Sequence, residues 1–78
     1  MTARPVPSGY LLRTIPRVVA EPRWGGGLSR ADLAAELNVR EADPVFDVSL
    51  MACYRRRQVD FCWGYVVVPS YGDAHEHH

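Results

Sequence analysis

The chain has 78 residues and no net charge at neutral pH, because nine arginines balance nine carboxylates. A chain of this length has room for one domain, which buries only about 60% of the surface that the unfolded chain exposes. The 47% share of hydrophobic residues is enough for one core and argues against disorder throughout. No apolar run approaches the roughly 20 residues of a membrane-spanning helix, so we expect a cytoplasmic protein with no membrane partner.

The first segment with a regular pattern follows an irregular N-terminus. Residues 1–9 contain prolines and a glycine but no apolar periodicity, and they are predicted to form a flexible or extended arm. Residues 1–20 lack a secretory pattern, because three prolines interrupt any apolar stretch. Residues 10–21 space their apolar side chains as a helix does. Pro16 would cost roughly 3 kcal/mol inside a helix. This first helix is therefore expected either to kink at Pro16 or to begin near it, and to end at Pro22.

The second predicted helix follows a connector at residues 23–27, whose three consecutive glycines we interpret as a flexible link. Ser29 is a favourable N-cap, because its hydroxyl oxygen can accept a hydrogen bond from a backbone N–H of the first turn. The helix is predicted over residues 30–37. Asn38 tolerates the left-handed conformation that ends a helix, so a sharp turn is expected there.

The third predicted helix begins with two residue types that are typical of a helix start. Asp43 is expected to be the N-cap and Pro44 the first helical residue. The helix is predicted to run to about Gln58. Its last turn would hold three consecutive arginines, where cations are favoured by the helix dipole.

The C-terminal third contains two short segments rich in strand-forming residues, 59–62 and 65–68. They flank Trp63 and Gly64, which predicts a β-hairpin with its turn at these residues. Residues 70–78 are predicted to form a disordered tail that holds all three histidines. Short histidine tracts can bind metal. We nevertheless expect no metal or other cofactor, because no cluster of further ligands accompanies the histidines.

Residues 28–39, with the sequence Leu-Ser-Arg-Ala-Asp-Leu-Ala-Ala-Glu-Leu-Asn-Val, resemble the first helix and turn of helix-turn-helix repressors. The pattern is a capped short helix with small residues, a leucine, an asparagine and an apolar residue. With a helix before it and a helix and hairpin after it, the segment 10–69 is similar to winged helix-turn-helix domains. The resemblance implies an α+β fold of three helices with a C-terminal β-hairpin wing.

The resemblance also implies a set of DNA contacts, since the third helix of such domains enters the major groove and the wing lies on the backbone or minor groove. Phosphate contacts are expected from the arginines Arg30, Arg40, Arg55, Arg56 and Arg57. Ser49 is expected to make a polar contact, and Trp63 at the wing tip to pack on a sugar or on a partner. Two alternatives stay open: the three adjacent arginines only solvate a helix end, and Trp63 packs against the first helix.

The residue types offer no catalytic set, because every histidine lies in the last four residues and no carboxylate pair falls in a recognisable motif. We therefore expect no enzyme and no small-molecule substrate. The predicted function is that of a transcriptional regulator or a phage- or plasmid-type accessory factor that binds double-stranded DNA, as a dimer or on repeated sites. The alternative is a protein-interaction module, an adaptor or inhibitor. The zero net charge favours it, as do Val48 and Met51, which lie beside Asp47 on the outward face of the third helix.

Overall fold

The computed structural model describes residues 4–69, which form an α+β domain with three α-helices and a three-stranded antiparallel sheet. The helices are α1 (Gly9–Val19), α2 (Arg30–Glu36) and α3 (Pro44–Arg55). The strands are β1 (Gly27–Ser29), β2 (Asp60–Cys62) and β3 (Tyr65–Val67), and a short 3-10 helix, Pro22–Trp24, links α1 to β1. The predicted α+β class, the three helices and the C-terminal hairpin are confirmed. The predicted tail at 70–78, with its histidines, lies outside the described residues.

Helix α1 begins earlier than either prediction allowed, because Ser8 caps it. The Ser8 hydroxyl oxygen accepts a hydrogen bond from the backbone N–H of Leu11 at 3.3 Å. The backbone N–H of Ser8 in turn donates to the hydroxyl of Ser49 on α3 at 2.9 Å. The C-terminal end of the predicted arm is therefore wrong, since Ser8 is tied to the domain and Gly9 is already helical.

Pro16 lies inside α1, where the absence of its N–H leaves the carbonyl of Leu12 without the usual backbone donor. The thiol of Cys53 on α3 takes that place, with its sulfur 3.8 Å from the Leu12 oxygen. A start of the helix near Pro16 is therefore wrong. The contacts of Ser8 with Ser49 and of Leu12 with Cys53 also show that α1 and α3 run in the same direction.

Helix α2 and its turn follow the sequence closely. The hydroxyl of Ser29 accepts a hydrogen bond from the N–H of Asp32 at 3.0 Å, which confirms it as the N-cap. The helix ends at Glu36, one residue before the predicted end. Asn38 has the expected left-handed backbone, with φ of 59°, and turns the chain toward α3.

Helix α3 starts as predicted and ends three residues early. A carboxylate oxygen of Asp43 accepts a hydrogen bond from the N–H of Val45 at 2.8 Å, and Pro44 is the first helical residue. Arg57 has a positive φ of 61°, which ends the helix, and the N–H of Gln58 returns to the Cys53 carbonyl. The predicted helical end at Gln58 is therefore wrong.

Strand β1 is absent from the prediction, which took residues 23–27 for a flexible connector. It pairs with β3, so the sheet order is β1-β3-β2 and the hairpin is part of a larger sheet. A Cβ atom on Gly27 would lie 2.5 Å from a methyl carbon of Val67 and 2.7 Å from the carbonyl oxygen of Val66. Gly27 is therefore required by the close approach of β1 to β3.

The core lies between the three helices and one face of the sheet, and α1 packs mainly against α3. Its buried apolar side chains are Leu11, Ile15, Val18, Val19, Leu28, Leu33, Ala34, Leu37, Phe46, Leu50, Cys53, Val59 and Val66. Within residues 4–69, no helix combines the length and the apolar character needed to cross a bilayer.

Candidate functional site

Arg30, at the start of α2, is already bound to two carboxylates. Its guanidinium lies 3.0 Å from a carboxylate oxygen of Asp47 and 3.8 Å from one of Glu41, and it lies over the ring of Phe46. A phosphate would have to compete with these partners. The structure therefore weakens the predicted role of Arg30 as a phosphate contact.

Ser49 was predicted to make a polar contact with DNA, and the structure contradicts this. Its side chain is fully buried, and its hydroxyl accepts the hydrogen bond from Ser8 described above. Ser49 therefore joins α1 to α3 from inside the protein. The outward apolar patch expected at Val48 and Met51 is also wrong in part, because both side chains are half-buried.

The C-terminal end of α3 presents a cationic group, the arginine cluster, which consists of Arg55, Arg56 and Arg57. All three side chains are exposed, and none has an ion-pair partner among residues 4–69. Only Arg55 is helical, because the helix ends before the other two. The left-handed backbone at Arg57 turns the chain from the helix into the hairpin.

Two further exposed arginines lie on α1 and were missed by the sequence analysis. Arg13 and Arg17 are four residues apart, so they lie on one side of the helix. Because Leu12 contacts Cys53 and the two helices run in the same direction, this pair lies toward the same end of the domain as the arginine cluster. Their spacing, opposite the apolar face of α1, is the signal that could have identified them.

The hairpin consists of residues 60–67, and its tip presents an aromatic side chain to solvent. Trp63 is 95% exposed, which excludes the alternative in which it packs against the first helix. Trp63 and Gly64 have φ of 53° and 82°, so both central residues of the turn are left-handed. Tyr65, the next residue, is 51% exposed. The predicted position of Trp63 at the tip is confirmed.

An aromatic pair fixes the hairpin to the end of α3. The rings of Tyr54 and Phe61 are stacked with their centroids 4.9 Å apart. Phe61 is opposite the buried Val66 in the sheet, so its side chain points toward the helices. Because Tyr54 directly precedes the arginine cluster, this stack places the cluster beside the base of the hairpin.

The outer face of the sheet forms an open, largely apolar cleft of about 510 Å³. Gly25, Gly26 and Gly27 line it with backbone atoms, since glycine has no side chain. The side chains that line it are those of Cys62, Trp63, Tyr65, Val67 and Val68. The sequence analysis did not identify this cleft, because it depends on the unpredicted pairing of β1 with β3.

The whole chain has zero net charge, but among the groups of residues 4–69 that have no ion-pair partner within that range, positive charges outnumber negative ones. Residues 4–69 contain all nine arginines and seven of the nine carboxylates. Arg23 and Arg30 bind four of those carboxylates. The other seven arginines therefore stand against three carboxylates, a difference of four positive charges. These arginines are Arg4, Arg13, Arg17, Arg40, Arg55, Arg56 and Arg57.

Comparison of the chain with protein-family models, with curated proteins and with solved structures gave no significant match. Within the described residues, no three His, Cys, Asp or Glu side chains are placed to hold one metal ion. The chemistry of the candidate site is therefore that of exposed arginines beside exposed aromatic rings.

Proposed function

We propose that the domain is a winged helix-turn-helix that binds double-stranded DNA through the C-terminal end of α3 and the hairpin. The element order α1, β1, α2, α3, β2, β3 supports this assignment, because a hairpin directly follows the third helix. The observation that carries the functional proposal is the exposed arginine cluster, which has no ion-pair partner among residues 4–69 and adjoins the hairpin through the Tyr54–Phe61 stack.

The contacts in this proposal are mainly with phosphates. The guanidinium group forms paired hydrogen bonds with phosphate oxygens and stays charged at all physiological pH values. Arg40 is exposed in the turn before α3, at the opposite end of that helix from the arginine cluster, and offers a separate phosphate contact. The middle of α3 offers little for reading base edges, because Asp47 is bound to Arg30 and its neighbour Val48 is apolar. Binding that depends little on the DNA sequence is therefore expected.

The size of the domain limits the affinity of a single copy. A module of this kind covers roughly 600–1,000 Å² of protein surface on DNA, which is small for a specific complex. Binding by several copies at adjacent positions, or by a dimer, would raise the affinity. The first binding measurements should therefore be made at low salt, where phosphate contacts are strongest.

The test is a salt titration of DNA binding with the wild type and a variant carrying Arg55→Ala, Arg56→Ala and Arg57→Ala. Each phosphate contact contributes about 0.9 to the slope of log K against log salt concentration. The triple variant is therefore expected to lose about 2–3 units of this slope and most of its affinity at low salt.

A matched control distinguishes the loss of a direct DNA contact from the loss of one positive charge. Arg23→Ala removes one positive charge, as Arg56→Ala does, but Arg23 is already paired with Glu21 and Glu36. Binding by Arg23→Ala should stay close to that of the wild type, while Arg56→Ala should bind more weakly. Equal binding by these two variants would contradict the assignment of the contact surface.

A protein partner is the second candidate, and the apolar cleft on the outer face of the sheet favours it. Apolar side chains such as Val67 and Val68 would gain from being covered by another apolar surface. Such an association would respond weakly to salt. A wild-type protein that binds no DNA at low salt would favour this candidate over the first.

A further inference from the structure

The hairpin tip carries a residue that the turn itself does not favour. In a two-residue turn with positive φ at both central positions, Asn, Asp and Gly are the preferred residues. Trp63 has φ of 53°, which is unusual for a bulky side chain. Its 95% exposure shows that it adds nothing to the core. Neither turn formation nor packing accounts for the indole, which is therefore available to a ligand.

The chemistry of the hairpin restricts what that ligand can be. The only charged side chain in residues 59–68 is that of Asp60, and its carboxylate accepts a hydrogen bond from the N–H of Phe61. The tip therefore has no cation with which to hold a phosphate. Trp63 and Tyr65 instead offer exposed aromatic rings, which suit a flat partner such as a nucleobase.

Continuous duplex DNA does not offer such a partner, because each base face is covered by its neighbours. An unpaired nucleotide does, and stacking of a base on an aromatic ring tolerates any base. We propose that Trp63 stacks on an unpaired base while the arginine cluster holds the phosphates of the adjoining duplex. This inference rests on the proposed function and specifies its ligand as duplex DNA that contains an unpaired nucleotide.

The geometry allows both contacts at once. Trp63 is two residues beyond Phe61, which corresponds to about 7 Å along the strand. Phe61 is held against Tyr54, the residue that precedes the arginine cluster. The Phe61–Tyr54 stack adds the 4.9 Å between the ring centroids, so the aromatic tip and the cations lie on the order of 10 Å apart. This corresponds to about three nucleotide steps of 3.4 Å along the DNA helix axis, so an unpaired base and nearby phosphates of the same strand are both within reach.

Three DNA molecules with the same flanking duplex test the proposal. One is fully paired, one has a single unpaired thymidine, and one has an abasic nucleotide at that position. The last two carry the same number of phosphates and differ only in the base. The wild type is expected to bind the thymidine bulge on the order of 10-fold more tightly than the abasic bulge.

The variant Trp63→Asn removes the ring and keeps a residue that favours the turn conformation, so the fold should be retained. It is expected to bind all three DNA molecules with similar affinity. Trp63→Phe, which keeps an aromatic ring, should retain part of the preference. A wild type without the preference, or a Trp63→Asn variant that keeps it, would overturn the proposal.

A spectroscopic measurement gives a second readout. The variant Trp24→Phe leaves Trp63 as the only tryptophan, and stacking on the thymidine should quench its fluorescence more strongly than the abasic DNA does. Equal quenching by both DNA molecules would overturn the stacking contact.

Salt-dependent binding of equal strength to all three DNA molecules would overturn this inference alone. Absence of salt-dependent binding to any of them would overturn the proposed function as well.

Discussion

At the scale of single residues, Cys53 has a structural role that its residue type does not reveal. Its thiol is fully buried and donates a weak hydrogen bond to the Leu12 carbonyl, which Pro16 leaves without a backbone donor. Burial raises the pKa of the Cys53 thiol, and the positive charge of Arg56 opposes that shift without cancelling it. The thiol therefore stays protonated at neutral pH. Cys62, by contrast, is half-buried at the edge of the cleft.

The two cysteines should differ strongly in their reaction with a thiol reagent at pH 7. The thiolate is the reacting form, and reaction of Cys53 requires the domain to open. The variant Cys62→Ser, which keeps only Cys53, is expected to react at least about 100-fold more slowly than Cys53→Ser, which keeps only Cys62. Labelling followed by mass spectrometry measures both rates. Similar rates in folded protein would show that Cys53 is not protected by the core, and labelling in urea should remove the difference.

At the scale of elements, the starts of α2 and α3 are encoded locally and the interior of α1 is not. Ser29 and Asp43 cap the two later helices because their side-chain oxygens reach a backbone N–H only two or three residues away. Pro16 is unfavourable inside a helix by its own chemistry, and α1 nevertheless continues through it. Burial of its apolar face against α3 outweighs that local cost.

Pro16→Ala should therefore stabilise the domain. The substitution restores a backbone N–H for the Leu12 carbonyl and removes the ring, and the gain is offset in part by the larger conformational freedom of the unfolded chain. We expect the free energy of unfolding in urea to rise by about 1–2 kcal/mol. Pro22→Ala is the control, because Pro22 occupies the first turn of the 3-10 helix, where proline is well accommodated. No gain for Pro16→Ala relative to Pro22→Ala would contradict this account.

At the scale of the whole molecule, the sheet connects the middle of the chain to its C-terminal third. Strand β1 pairs with β3 although two helices lie between them in the chain. Each residue of β1 is more than 30 positions in sequence from its partner on β3. This pairing covers the edge of the hairpin and creates the cleft beside Trp63. The distribution of surface charge also depends on the whole molecule, because intramolecular ion pairs decide which arginines remain available to a ligand.

The pairing of β1 with β3 predicts that Gly27 cannot be replaced. In Gly27→Ala the added methyl group would overlap with Val67 and with the Val66 backbone, and we expect a loss of about 1–3 kcal/mol in the free energy of unfolding. Gly9→Ala is the matched control, because its Cβ would have only an ordinary contact, 3.5 Å from Arg13. In the first turn of α1, alanine should be neutral or stabilising. Equal stability of the two variants in urea would contradict the observed register of the sheet.

Some of the residues proposed for DNA contact could be identified from the sequence, whereas others depend on how the helices pack. Arg55, Arg56 and Arg57 could be selected from the sequence because three adjacent cations at a helix end remain exposed in almost any packing. Arg30 could not be assessed in that way, since its partner Asp47 is 17 residues away and reaches it only when α2 and α3 are packed together. The prediction for Ser49 was wrong for a related reason, because the start of α1 covers the face of α3 on which Ser49 lies.

Sequence by itself determined the features that depend on neighbours within one helical turn or one hairpin. These are the N-caps of α2 and α3, the left-handed Asn38, the apolar faces and the turn at Trp63 and Gly64. Only the tertiary structure decided which long-range partners meet. It paired β1 with β3, carried α1 through Pro16 and paired the charge of Arg30 with Asp47 and Glu41 at the surface. Local interactions depend on residue type and spacing, whereas these pairings depend on the balance of burial and electrostatics over the whole chain.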